Sequence, residues 1–92
     1  MNIAEILTTI QQNIDTTKYE IVFHDMICNH KDNEQLKIYR VVENGEHRGS
    51  MVLITGRDET AMNLTYRENG ELHWVFGMSN AIGVINDGFY LE

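Results

Sequence analysis

Apolar positions recur at helical spacing near the start of the chain, then switch to a two-residue alternation that lasts for most of its length. Ile3, Ile6, Leu7, Ile10 and Ile14 fall three and four residues apart, which gathers them on one side of an α-helix. Asn2 can cap that helix, and Glu5 stands three residues later where a capping box places its acid. Thr8, Gln11 and Gln12 lie toward the opposite, polar side. The helix is expected to end between Asn13 and Asp15.

From Tyr19 the pattern is that of strands. Tyr19 to Cys28 is rich in β-branched and aromatic residues, and further strands are expected over Leu36–Val42, Ser50–Thr55, Met62–Arg67 and Leu72–Phe76. Met62, Leu64 and Tyr66 alternate with Asn63, Thr65 and Arg67, so one face is buried. Leu72, Trp74 and Phe76 alternate with His73 and Val75 and are expected to form a buried face in the same way. The run Met51-Val52-Leu53-Ile54 is apolar on both faces, as in a central strand covered on two sides or lying at an interface.

Asn44-Gly45 and Asn69-Gly70 each predict a two-residue hairpin, because a type I′ turn needs two residues tolerant of positive φ. The segment NHKDNE, from Asn29 to Glu34, and the segment GRDE, from Gly56 to Glu59, supply two more turns. The stretch from Ser79 to Gly88 reads either as a short helix capped by Ser79 and stopped by Gly88, or as a hairpin; Gly83 weakens the helical alternative.

Together these elements predict an α+β fold, a single domain over residues 1–92. An N-terminal amphipathic helix packs on a five-stranded antiparallel β-meander, and a C-terminal short helix or hairpin follows. The helix's aliphatic stripe is expected to lie on the Met62/Leu64/Tyr66 and Leu72/Trp74/Phe76 faces. The doubly apolar run at Met51–Ile54, with Trp74, Phe76, Phe89 and Tyr90, offers more apolar surface than one short helix covers. A homodimer is therefore expected.

Charge narrows the partners. The net charge is −7, from 14 acids and 7 bases. That disfavours direct binding to nucleic acid or to an anionic membrane, where basic side chains supply most of the attraction, and favours a basic protein surface. All seven Lys and Arg lie between Lys18 and Arg67, and beyond Arg67 come four acids, Glu68, Glu71, Asp87 and Glu92, with no base. One cysteine excludes an internal disulfide. No window approaches the ~20 apolar residues of a membrane span, and the first residues lack the basic and apolar regions of a signal peptide. A cytoplasmic protein is expected.

Candidate chemistry is concentrated in FHDMICNH, Phe23 to His30. His24, Cys28 and His30 are good zinc ligands by type. On a regular strand their even separations put all three on one face. His24 and Cys28 would then stand ~13 Å apart at ~3.3 Å per residue, too far to share one ion, whereas Cys28 and His30, ~6.6 Å apart, could share one completed by His47 or His73 from another strand. A Cys–His nucleophile pair would need an orienting group and an oxyanion hole, and no Gly-rich elbow or helix start follows Cys28. The segment is read as a strand, with Met26 and Cys28 packing and the histidines at its wet edge. With no phosphate loop, HExxH or nucleophile elbow, the chain carries no sign of an enzyme, a resident metal or a cofactor.

A tetrapeptide, ENGE, occurs twice, at Glu43–Glu46 and Glu68–Glu71. Each copy centres on a hairpin turn, so Glu43 faces Glu46 and Glu68 faces Glu71, and like charges so placed are mildly destabilising. If the strands are sequential neighbours, both tips emerge at one end of the sheet and gather four carboxylates there. These four are the candidate partner-binding residues. Arg40, Arg48 and Arg67 are close enough in sequence to compensate them.

In whole-chain profile, a short acidic α+β chain with two ENGE turns, the sequence resembles the small inhibitors that phages deploy against host defence, anti-restriction DNA mimics and anti-CRISPR proteins among them. That resemblance implies a non-enzymatic inhibitor that occupies the DNA-binding surface of a nuclease or other DNA-binding protein, with carboxylates in place of phosphates. A toxin-neutralising immunity protein has the same size and charge and is the alternative. A small metal-binding protein using His24, Cys28 and His30 is a more distant one.

Overall fold

The structure, a computed structural model, describes residues 2–29, 34–55 and 60–90. The elements run α1 (Ile3–Asn13), β1 (Tyr19–Asn29), β2 (Glu34–Glu43), β3 (Glu46–Thr55), β4 (Thr60–Glu68), β5 (Glu71–Phe76) and α2 (Met78–Asn86), with a 3-10 turn at Gly88–Tyr90. The five strands form one antiparallel sheet in chain order, so the α+β meander read from the periodicity is the observed fold. Asn44 and Gly45 have φ of 51° and 81°, and Asn69 and Gly70 have 53° and 80°. Those are the type I′ values that Asn-Gly predicts, and their twist matches that of the strands they join. The turn expected over GRDE lies outside the described residues.

Register then decides the faces. Tyr19, Val41, Met51, Leu53, Met62, Leu64 and Tyr66 share one face and are all buried. Ile6, Ile10 and Ile14 from the α1 side, and Ala81, Val84 and Ile85 of α2, complete the same apolar cluster. α1 begins where its cap predicts: the Glu5 amide donates to Asn2 Oδ1 at 2.8 Å. Its end is tied to α2 by Asn86 Nδ2, which donates to the Asn13 carbonyl at 2.9 Å. Thr8, Gln11 and Gln12 of α1 face solvent.

Two expectations are corrected. Leu72, Trp74 and Phe76 do not line the core; they are 55%, 57% and 63% exposed, on the face away from the helices. The pairing Glu68↔Glu71 across the turn puts Leu64 opposite Val75 and Tyr66 opposite His73, so the smaller alternate set points inward. The ambiguous tail is helical, but Ser79 lies inside α2 and Gly77 precedes its first turn, with φ of 87°. The Gly77 amide donates to the Met62 carbonyl at 3.0 Å, which docks the start of α2 onto β4. Gly83 is tolerated because it lies on the exposed side, while Ala81, Val84 and Ile85 hold the buried stripe.

The end of the chain closes the core. Gly88 and Phe89 both take positive φ, 69° and 61°, and Phe89 is 1% exposed. Its ring stands edge-on to Tyr19 at 5.8 Å and to Tyr66 at 6.3 Å. The space it occupies exists because β3 has no side chain at Gly49: a Cβ there would lie 2.8 Å from Phe89 Cε1 and 3.0 Å from the Thr65 carbonyl oxygen. Since that oxygen belongs to the sheet backbone, Gly49→Ala is expected to cost about 1–3 kcal/mol through overpacking. Phe89→Ala should cost about 3–5 kcal/mol through the cavity it leaves. Urea unfolding of both variants, read as a lowered midpoint at unchanged slope, checks this.

Candidate functional site

Because the strands alternate direction, the two Asn-Gly turns emerge at one end of the sheet, where α1 also hands over to β1. The turns sit on the β2–β3 and β4–β5 pairs, two strand spacings or ~10 Å apart. Glu43, Glu46, Glu68 and Glu71 all fall on the helix-bearing face by register, so the two ENGE copies stand side by side. The structure brings the four sequence-predicted carboxylates to one rim.

Their electrostatics differ. Between Val41 and Val42 the β2–β3 register slips by one residue, a bulge at Arg48. Arg48 stands two residues after Glu46 on the helix-bearing side, with its guanidinium 4.0 Å from Glu43 and 3.7 Å from Glu46, and the bulge changes the side on which the β3 residues beyond it lie. Lys18 approaches Glu43 at 3.4 Å from the other side. The Glu43 side chain is accordingly only 19% exposed, against 78% for Glu46. At the second tip Arg67 lies on the opposite face by register and donates to the Gly70 carbonyl at 3.2 Å. His73 is 3.8 Å from Glu71, whose side chain is 81% exposed. Arg40 is engaged elsewhere, against His24 at 3.2 Å. Glu46 and Glu71 are thus the open carboxylates.

Lys18 is the residue that sequence reasoning missed. It adjoins Tyr19, which pairs with Glu43 across the β1–β2 ladder. The loop joining those strands carries no register-setting turn signature, so the pairing was not legible. Asp15 stabilises the bend that delivers Lys18: its Oδ1 accepts the Thr17 hydroxyl and, at 3.0 Å, the Thr17 amide. Those two bonds hold the Asp15 carboxyl below its usual range, the hydroxyl contributing most and the Lys18 charge adding to them. Lys18 is held above the usual lysine range by Tyr19 first and by Glu43 after it. An open cleft of about 560 Å³ lies beside this bend, bordered by Ile14, Thr17, Lys18, Tyr19 and Asn44.

His24 and Cys28 do not share a face. The β1–β2 register slips between Phe23 and Asp25, a bulge at His24. His24 therefore meets Arg40 on the bare face, whereas Cys28, paired with Gln35, falls on the helix-bearing side. The even-separation argument fails because a bulge breaks the strand's two-residue period. Cys28 is exposed rather than packed, Met26 is 45% exposed, and His30 lies outside the described residues. Among the described residues no group of three or more His, Cys, Asp or Glu is placed to hold a metal ion.

Compared with protein-family models, curated proteins and solved structures, the chain matches none. Among the described residues no helix is long and apolar enough to cross a membrane.

The ion pairs at the first tip change what neutralising it would do. Glu43→Gln is expected to lower stability by up to about 1 kcal/mol, since two cations lose their partner. Glu46→Gln and Glu71→Gln should leave it unchanged; thermal unfolding of the three variants distinguishes them. For Asp15 the folded value is depressed, so its contribution is complete above the unfolded value near pH 4 and is lost as pH falls through the folded one. Asp15→Asn should flatten the loss of stability below about pH 4, measured as Tm against pH.

Proposed function

We propose that the protein is a non-enzymatic binding protein that blocks a basic macromolecular surface with the acidic end of its sheet, acting as a DNA-mimic inhibitor of a nuclease or another DNA-binding protein. The observation that carries this reading is the placement of both ENGE hairpins at one end and on one face, ~10 Å apart, with Glu46 and Glu71 open to solvent. The second turn accepts the small local cost of like charges set opposite one another, Arg48 and Lys18 offset that cost at the first, and together the turns make one surface that a cluster of Lys and Arg would complement. Binding of this kind needs no cofactor. The partner it describes is intracellular, and a free exposed thiol at Cys28 suits a reducing compartment such as the cytoplasm.

The test is a pull-down from host lysate with and without competing duplex DNA, run for the unmodified chain and for a variant with Glu43, Glu46, Glu68 and Glu71 all changed to Gln. A basic protein should be captured, should be released as salt rises, and should be displaced by DNA. The Gln variant should lose it, whereas changes at Thr8, Gln11 and Gln12 should do little. Capture that survives in the Gln variant with the same salt dependence would refute the acidic-end reading. Capture that needs the glutamates but ignores DNA would favour direct neutralisation of a toxin.

A further inference from the structure

The helices cover one face of the sheet and leave the other bare. On the bare face β1, β2 and β3 bring together Ile27, Leu36 and Ile54 in one row and Ile38 with Val52 in the next. At the opposite edge β5 lines up Leu72, Trp74 and Phe76, each more than half exposed. The residues between, Ser50, Asn63 and Thr65, are uncharged. Five strands ~4.8 Å apart and six to eleven residues long at ~3.3 Å per residue make a face of roughly 24 by 30 Å, on the order of 700 Å² in projection. Side-chain relief raises its accessible area toward the ~800 Å² per partner of a stable interface.

Charge says what can cover it. The chain carries −7, yet among the described residues this face holds Glu20, Asp25 and Glu34 against Arg40 and Arg67, a balance of −1. The charge that would repel a second copy is kept off the surface where that copy would dock. We infer that two copies of this chain pack face to face through the bare sheet, about a two-fold axis parallel to the strands. Such an axis lays β5 of each copy over β1 of the other, so Trp74 meets the second copy's Val22, and the Val52 and Ile54 column of β3 packs on its own counterpart. It also brings Glu20 within one strand of the second copy's Arg67, twice by symmetry. A two-fold perpendicular to the strands would instead stack β5 on β5 and set Ile27 over the second copy's Glu20. Aligned packing of this kind separates the sheets by ~10 Å, a distance these side chains fill.

Trp74, the one tryptophan, reports on the contact directly. The full chain is expected to weigh as a dimer in sedimentation equilibrium at micromolar concentration, and its tryptophan emission should shift to the red as dilution separates the copies. Val52→Lys, at the centre of the face, should give a monomer with an unchanged circular dichroism spectrum and red emission throughout. Trp74→Lys, at an already exposed edge position, should do the same by mass. Glu20→Arg and Arg67→Glu should each weaken the dimer a few-fold, as a rim ion pair does, and the double exchange should restore it. A monomeric mass for the unmodified chain at high micromolar concentration would overturn the inference, including the case where another protein is found on this face. So would a Val52→Lys variant that still dimerises, and a dimer indifferent to the charge exchange would overturn the strand-parallel axis. The variant with all four tip glutamates changed to Gln should dimerise unchanged, which separates this result from the fate of the acidic end.

Discussion

Glu68 facing Glu71 across a two-residue turn dictates where the side chains of β4 and β5 point, and Glu43 facing Glu46 does so for β2 and β3 only together with the one-residue slip at Arg48. A type I′ turn admits no slip, and a slip of one residue would carry every side chain to the other face. The slip at Arg48 carries Gly49, Met51 and Leu53 to the side of Met62, Leu64 and Tyr66, and the β3–β4 pairing sets Gly49 opposite Tyr66, where the Phe89 ring fits. The same slip sends Val52 and Ile54 outward, and the Glu68–Glu71 register sends Trp74 and Phe76 outward, where α1 and α2 cannot reach. Two helices of 11 and 9 residues cover one face of a five-stranded sheet and have no length left for a second.

Two bulges are the exceptions, and both set which face a residue takes. At Arg48 the extra residue brings Met51 and Leu53 to the core side, while the Arg48 guanidinium makes the Glu43–Glu46 pair an ion-paired group. At His24 the extra residue carries the imidazole to Arg40 and away from the face of Cys28. A ladder without bulges would keep Arg48 on the side of Glu46 but would turn Met51 and Leu53 to the bare face, and it would put both His24 and Cys28 on one side.

How far the sequence could be read follows from which interactions are local. The α1 stripe, the Asn2 cap and both Asn-Gly turns are set within a few residues, so the meander and the gathering of the four glutamates at one end were legible. The orientation of β5 was not, because Leu72, Trp74 and Phe76 form the larger apolar set and only the Glu68↔Glu71 register reveals that Val75 and His73 face the core. Bulges leave no mark in an alternation of apolar and polar residues when the bulged positions are polar, as His24 and Arg48 are. The tail was ambiguous for a further reason. Gly83 lowers helix propensity locally, and what overrides it is tertiary, the burial of Ala81, Val84 and Ile85 and the docking of Gly77 on Met62.

The acidic rim and the bare face impose opposite electrostatic demands on one small chain, and the pleat reconciles them. Carboxylates that attract a basic partner also repel a second copy, unless the two copies meet through a surface that points elsewhere. Here the four glutamates share the helix-bearing side of the sheet, so in a face-to-face dimer they turn outward on both flanks. The two sheets alone separate the clusters by ~10 Å, already beyond the ~8 Å over which charge is felt at physiological salt. The strand-parallel axis also keeps both rims at the same end of the dimer. Two acidic edges then present themselves to one side at a fixed spacing, and a partner with a basic groove could engage both without either copy changing shape. A perpendicular axis would send the rims to opposite ends and forfeit that shared footprint, so the axis that pairs Glu20 with Arg67 is also the one that would let both acidic ends meet one surface.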